Sequence, residues 1–227
     1  MLIQFLINGL IEGCGFAIVA LGLGLIYKTT KVLHIAHGAV FTLSAYLFYS
    51  FTQLLGLPII LGLVISLVIT SGLGASMEMA VYYPLHKRKS SSGVVIVASL
   101  GIYIVVINIL AMIFSNETKI IRNWNESVYH FNSIMVTRTQ LIQCLAFLAV
   151  FLLFTLLIKK SRIGKLIRAV SDNPKLSSVI GIDIRKIRIL VFIIGSLLAG
   201  IGSCLFALDR AFDPYLGMNI LFISAAA

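Results

Sequence analysis

Six apolar runs, each about long enough to cross a bilayer, occupy most of this chain and leave few folds open to it. They are Phe5–Tyr27, His37–Leu55, Pro58–Val81, Gly93–Phe114, Leu141–Ile158 and Ile189–Leu208. A seventh starts near Tyr215 and continues to Ala227, the last residue. A helix rises about 1.5 Å per residue, so about 20 residues span a hydrocarbon core of about 30 Å. The predicted fold class is therefore all-α: a polytopic membrane helical bundle with six complete spans and the start of a seventh. Only 11% of the residues are charged, against about 25% in soluble domains. That deficit excludes an ordinary soluble enzyme. We read residues 1–227 as a single transmembrane domain, with a polar loop at 116–137 and a basic loop at 159–188.

The net charge of +10 is distributed as membrane topology rather than as a nucleic-acid surface. Lys28 and Lys31 follow the first run, Lys87, Arg88 and Lys89 follow the third, and nine basic residues lie between Lys159 and Arg188 after the fifth. These three loops alternate correctly to share one side and hold fourteen of the eighteen Lys and Arg residues. Lys and Arg accumulate in cytoplasmic loops, which places the basic loops inside and the N-terminus outside. Cys14, Cys144 and Cys204 all fall inside apolar runs without metal or disulfide spacing.

Small residues recur three or four apart in the first, third and sixth runs, as at Gly9 and Gly13, Gly72 and Ala75, and Ala199 and Ser203. In lipid such spacing lets helix backbones approach closely, so these three runs are expected inside the bundle. The fifth, rich in Leu, Phe and Ile, is expected to face lipid. The outer loop at 116–137 is long for a segment without structure. It holds Trp124 and two N-x-S/T sequons starting at Asn116 and Asn125, and is expected to pack over an outer vestibule.

Ionisable groups near the membrane are few. Glu12 lies in the first half of the first run, lining a path or reaching water at the outer interface. His34 and His37 share a helix spacing, but no Cys or acidic residue stands close in sequence to complete a metal site. His37 and Gly38 are expected to cap or break the start of the second span. Glu78 reads as an anchor at the inner end of the third span or a partner of the Lys87–Lys89 cluster. Asp209, Arg210 and Asp213 close the sixth span as solvated charges or as a contact for an outer partner. Gly72 and Gly200 are candidate hinge positions in the small-residue runs. No G-x-x-x-x-G-K-[ST], G-x-S-x-G or H-E-x-x-H pattern occurs. Any energy source for transport must be ion coupling or another chain, and scarce intramembrane acids favour the second.

The basic loop carries its own pattern. Leu166, Ile167, Ala169 and Val170 recur at helical spacing, with Lys165 and Arg168 between them. Asp172 and Asn173 offer a helix start at Pro174, and Gly181 is placed to end that helix. Two short helices with a bend are predicted, with an apolar ridge of Leu176, Val179 and Ile180 suited to a groove in another protein. A surface helix on anionic lipid is the alternative.

The run from Arg162 through Gly164, Arg168, Ala169, Asp172 and Asn173 to Gly181–Ile182 resembles the cytoplasmic coupling loop of the branched-chain amino acid permease family of ATP-binding-cassette importers. His37–Gly38 in HIAHGAVFTLSAY is similar to that family's N-[FM]-A-H-G-x-x-x-x-x-G-A-Y segment, with His34 in place of Asn and Ser44 in place of a Gly. Glu78, Tyr82, Pro84 and Leu85 resemble its E-R-x-x-Y-[RK]-P-L stretch, with Met79 and Tyr83 where basic residues are usual. Ser99–Gly101 resemble the S-x-G that follows it, and Pro214–Gly217 its N-P-x-x-G-x. The resemblance covers essentially the whole chain in order, although family members run on beyond the point where this sequence stops.

The resemblance implies a non-catalytic permease subunit in the bacterial inner membrane. Its implied partners are a second homologous permease, two cytoplasmic ATP-binding subunits and a periplasmic substrate-binding protein, within a lipid bilayer and without nucleic acid. ATP and magnesium would sit on the ATPases, with no cofactor on this chain. The substrate class implied is branched-chain amino acids or related small polar solutes. A passive channel or ion-coupled transporter for a small amide or amino acid is the alternative, and a non-transporting membrane scaffold a third.

Overall fold

We describe a computed structural model of the chain over residues 2–121, 127–131 and 134–226. The helices follow the apolar runs closely. They are α1 (Leu2–Thr30), α2 (Ala36–Tyr49), α3 (Ile59–Met77), α4 (Tyr83–Lys87), α5 (Ser92–Phe114), α6 (Arg138–Lys160), α7 (Arg162–Asp172), α8 (Pro174–Val179), α9 (Ile184–Asp209) and α10 (Leu216–Ala226). π-helical turns extend α2 through Ser50–Leu54 and join α3 to α4 through Glu78–Tyr82. Among the described residues, five helices are long and apolar enough to cross a membrane: α1, the joined α3–α4, α5, α6 and α9. The second run, a 14-residue α-helix continued by a π turn, falls outside that group.

Local chemistry sets several helix ends. Thr137 Oγ1 accepts from the Gln140 amide while Gln140 Oε1 accepts from the Thr137 amide, a reciprocal cap that starts α6. Ser161 caps α7, Asn173 caps α8 and Asp183 caps α9, each accepting from the amide three residues on. Gly181, at φ +86°, takes the left-handed conformation that stops α8.

The packing order differs from the one the small residues suggest. Helix α2 is the central element: eleven of its fourteen residues are buried, and it packs against α3, α5, α9 and α10. Helices α1 and α9 pack along each other beside it. Helix α3 buries Gly62, Ser66, Thr70 and Gly74 as a stripe against its neighbours, while Gly72 lies on its outer surface with nothing near the place its Cβ would occupy. Spacing shows that small residues form a stripe but not which way it faces. Helix α6 is mostly exposed, with Leu145, Leu152 and Leu153 on the outside, as expected of a lipid-facing span.

The chain is not purely helical. β1 (Val128–Phe131) and β2 (Ile134–Thr137) form an antiparallel hairpin in register Val128 to Thr137 and Phe131 to Ile134. The alternation was too short to register in the sequence. Gln4 of α1 receives the Met135 amide and donates to its carbonyl, fastening the hairpin to α1. A bridge between Lys119 and Phe212 ties the same loop to the α9–α10 connection. Trp124 and the second sequon, at Asn125, lie outside the described residues.

Candidate functional site

Close approach of α1 and α9 begins with missing side chains. A Cβ on Gly22 would lie 2.7 Å from the Gly195 carbonyl oxygen and 3.3 Å from the His37 ring. A Cβ on Gly202 would meet Val19 at 2.9 Å, and Gly74 of α3 leaves room for Ser196 and the Phe192 carbonyl. The seam between α1, α2 and α9 is therefore glycine-lined, and it can hold polar groups at membrane depth because no lipid reaches them. Gly22→Leu is expected to destabilise the fold by about 1–3 kcal/mol through overpacking. Gly72→Leu, facing open space, should leave thermal unfolding in detergent within about 0.5 kcal/mol of the parent.

Two polar constellations occupy the basic end of this seam. Glu78, in the π turn after α3, is fully buried and pairs with Arg188 in the second turn of α9, with Nε to Oε1 at 2.5 Å and Nη2 to Oε2 at 3.3 Å. Of the two readings of Glu78, as an inner-end anchor or as a partner of the Lys87–Lys89 cluster, the second is not what it does: its partner Arg188 follows it by 110 residues and only folding unites them. Beside this pair runs a hydrogen-bonded chain. Tyr82 Oη donates to Ser99 Oγ at 2.8 Å, Ser99 Oγ accepts the Ala36 amide at 3.0 Å, and His34 Nδ1 lies 2.8 Å from Tyr82 Oη. The His34 ring packs edge-on to Phe192 and Tyr82. In the α1–α2 connection, burial strips it of hydration and, with His37 alongside, holds its pKa well below the usual imidazole value. Among the described residues no group of three His, Cys, Asp or Glu is placed to hold a metal.

His37 and Gly38 do not cap α2. The helix starts at Ala36 with no side-chain cap, and the His37 ring turns into the seam. The flanking residue Ile35 already has helical dihedrals, so no side-chain oxygen is needed there. Gly38 serves a different contact: its Cβ would fall 2.6 Å from the Gly217 carbonyl, so it lets α10 lie against α2. Gly200 packs against Leu67 and Ser44, joining α9 to α3 and α2.

A cavity lies at each end of the seam. At the basic end one of about 700 Å³ is lined by Thr30, Lys31, Tyr82, Lys89 and Arg188, and by Ser171, Asp172 and Pro174 of the α7–α8 loop. The three basic loops thus meet around one space. At the hairpin end a pocket of about 30 Å³ is lined by Phe16, Val19, Phe41 and Gly202 under Glu12 and Arg210. Arg210 bridges Glu12, at 2.5 Å, and Asp209, at 3.3 Å, across half-exposed surface. Asp213 accepts from the Tyr215 amide and caps the turn into α10.

The α7–α8 loop has the bent two-helix form expected of it. Within it, Gly164 is buried because a Cβ there would collide with the Leu157 carbonyl, and Arg168 donates to the Ile158 carbonyl under the end of α6. Ile167 and Val170 face inward. Ser171 Oγ donates to Thr29 Oγ1 of α1, Ala169 is half-buried, and Asp172, Asn173 and Pro174 are exposed. Leu176, Val179 and Ile180 stand at 59%, 81% and 67% exposure, an unpartnered apolar ridge at the end of the molecule. Sequence reasoning missed His34, Tyr82, Ser99, Arg188 and Ser196 as members of one site. Tyr82 and Ser99 stood in quoted motifs, but no spacing signals that they meet.

A family model described as the branched-chain amino acid transport system permease component matches residues 5–227. The chain is 28% identical to the high-affinity branched-chain amino acid transport system permease protein BraD of Pseudomonas aeruginosa, over 91% of this chain and 71% of that one. It is 26% identical to LivH of Escherichia coli, a permease protein of the same description, over 95% and 74%. It is 28% identical to a probable branched-chain amino acid transport permease protein of Methanocaldococcus jannaschii, over 92% and 67%. No solved structure matches. The apolar helices, the glycine-lined polar seam and a match over nearly the whole length agree: this multi-pass membrane chain belongs to the branched-chain amino acid transport permease family.

Proposed function

We propose that this chain is the permease subunit of an ATP-driven importer for branched-chain amino acids or a related small polar solute, in a bacterial inner membrane. The α1–α2–α9 seam is its half of the translocation path, shared with a second permease. Two cytoplasmic ATPases carry ATP and magnesium and dock on α7 and α8, while a periplasmic binding protein meets the Glu12, Asp209, Arg210 and Asp213 face. No residue of this chain performs chemistry.

The single observation that carries the reading is the exposed ridge of Leu176, Val179 and Ile180 on a rigidly capped helix. Three large apolar side chains at the end of a membrane protein, beyond the spans, suit a partner's groove. The ridge is also mechanically joined to the seam. Helix α9 leaves the loop at Ile184, and one turn later Arg188 grips Glu78. Movement of the docked loop would therefore be felt in α3 and α9 together. Glu78, the buried carboxylate of the seam, is neutralised by Arg188, which disfavours a coupling-ion site there.

The test is co-expression with candidate ATPases, co-purification, and ATP-dependent uptake of radiolabelled L-leucine in proteoliposomes. Association lost on deleting 165–181 with the bundle still folded supports docking. Uptake by this chain alone that follows a proton or sodium gradient would sink the proposal in favour of an ion-coupled transporter.

A further inference from the structure

The seam contains polar atoms that its own packing does not satisfy. His34 Nε2, both ring nitrogens of His37 and Ser196 Oγ are enclosed and make no hydrogen bond. The Val19 carbonyl faces the His37 ring, but without hydrogen-bond geometry. Native interiors keep few such groups, and each one calls for an explanation. These sit on neighbouring turns. The His34 and His37 ring centroids are 5.6 Å apart, and His34 is 5.1 Å from Phe192, one helical turn before Ser196.

Their position is as informative as their orphaned state. The cavity at the basic end stops at Tyr82 and Arg188, and the pocket at the hairpin end stops at Val19 and Phe41. His34 touches Tyr82, and His37 faces Val19. The unsatisfied nitrogens of His34 and His37 therefore lie between the two openings, and Ser196, one turn beyond Phe192, is enclosed beside them against Gly74 of α3.

The hydrogen-bond chain fixes what His34 offers. Tyr82 spends its proton on Ser99 Oγ, which also receives the Ala36 amide. The Tyr82 oxygen must then accept the proton on His34 Nδ1, leaving a lone pair on Nε2. His34 Nε2 is an acceptor without a donor. A neutral His37 ring brings one further acceptor, and the Ser196 hydroxyl another. Glu78 adds no free negative charge, being committed to Arg188.

We propose that His34 Nε2, His37 and Ser196 are the solute-contacting residues of the path, accepting hydrogen bonds from the ammonium group of an amino-acid solute as the seam opens around it. This rests on the permease reading above. An ammonium has three donors and no acceptor, and it crosses a dry constriction only where those donors are re-paired. Neutral acceptors re-pair them without the deep trap that a free carboxylate would set, which conduction requires.

Ser196→Ala separates this from a structural role. Removing an unpaired buried hydroxyl should raise the melting temperature of the purified complex by about 2–4 °C. The same variant, and His37→Leu, should lower the maximal rate of ATP-dependent L-leucine uptake about tenfold or more. His37→Asn, which keeps an acceptor, should recover part of that loss. In a background with Cys14, Cys144 and Cys204 replaced by Ala, Ser196→Cys should resist a thiol reagent at rest and react during turnover. Wild-type uptake rates in both Ser196→Ala and His37→Leu, or no labelling of Ser196→Cys during turnover, overturns the assignment while leaving the permease reading intact. Absence of ATP-dependent uptake in the wild-type complex overturns the permease reading and this assignment together.

Discussion

Arg188→Ala is expected to be the most damaging single side-chain truncation in the seam, destabilising the bundle by about 3–5 kcal/mol. Glu78 is fully enclosed, with its two carboxylate oxygens taken by one guanidinium. Removing the cation leaves an acid at membrane depth with no compensating charge. It must then either stay ionised at large cost or take up a proton and lose both hydrogen bonds. Glu78→Ala should cost a similar amount for the mirror reason, because it strands a buried guanidinium. The double variant Glu78→Leu with Arg188→Met should recover most of the loss, since replacing both ions by apolar groups of similar volume is often neutral. Chemical unfolding in detergent, arranged as a double-mutant cycle, measures this directly. Single variants within about 1 kcal/mol of the parent would show that water or rearrangement supports the remaining charge. If the recovered double variant folds but no longer transports, the pair serves to link the docking loop to α3 rather than to hold the fold.

The largest effect on assembly is expected from the ridge. Leu176→Asp with Ile180→Asp should weaken ATPase binding by at least about a hundredfold, as read by co-purification and by titration of the ATPase. Burying a Leu or Ile side chain in an interface contributes about 1.5–3 kcal/mol, and two such anchors together reach the range of interface hot spots. The fold itself should not respond. Both side chains are mostly exposed, and Asn173 and Gly181, which set the ends of α8, are untouched. An unchanged melting temperature with lost association assigns the ridge to docking. Unchanged association would move the contact to α7, whose exposed face includes Lys165 and Leu166. Retained ATPase binding with reduced attachment to anionic vesicles would instead make the ridge a membrane-surface element.

The reach of the sequence is clearest in the loop. Asn173, Pro174 and Gly181 act through the backbone next to them, so their consequences can be read in a line of text. The cap at Leu176 and the stop at φ +86° appear where the residue types require them. The apolar runs are legible for a similar reason. Lipid solvates each run almost independently of the others, so length and hydropathy suffice to place α1, α3, α5, α6 and α9. The hairpin at 128–137 was not legible, because two four-residue strands give too little alternation to separate from a polar loop.

The seam was hidden by distance along the chain. Nothing near Glu78 announces Arg188, and nothing near His34 announces Tyr82 and Ser99, which lie 48 and 65 residues further on. Small-residue spacing foretold the buried stripes of α9 and of α3, where Gly62, Ser66, Thr70 and Gly74 recur every four residues, but misjudged Gly9 and Gly13 of α1 and Gly72 of α3, which face open space. By itself the sequence determined the membrane-spanning helices, the side on which the basic loops gather, and the bend between α7 and α8, because each follows from local chemistry or from solvation of one segment. Only the tertiary structure decided that α2 is the central helix, that Glu78 belongs to Arg188, and that His34 and His37 lie enclosed beside Tyr82 and Phe192. Those depend on which faces of separate helices meet, and that is set by packing across the bundle rather than by any one stretch of residues.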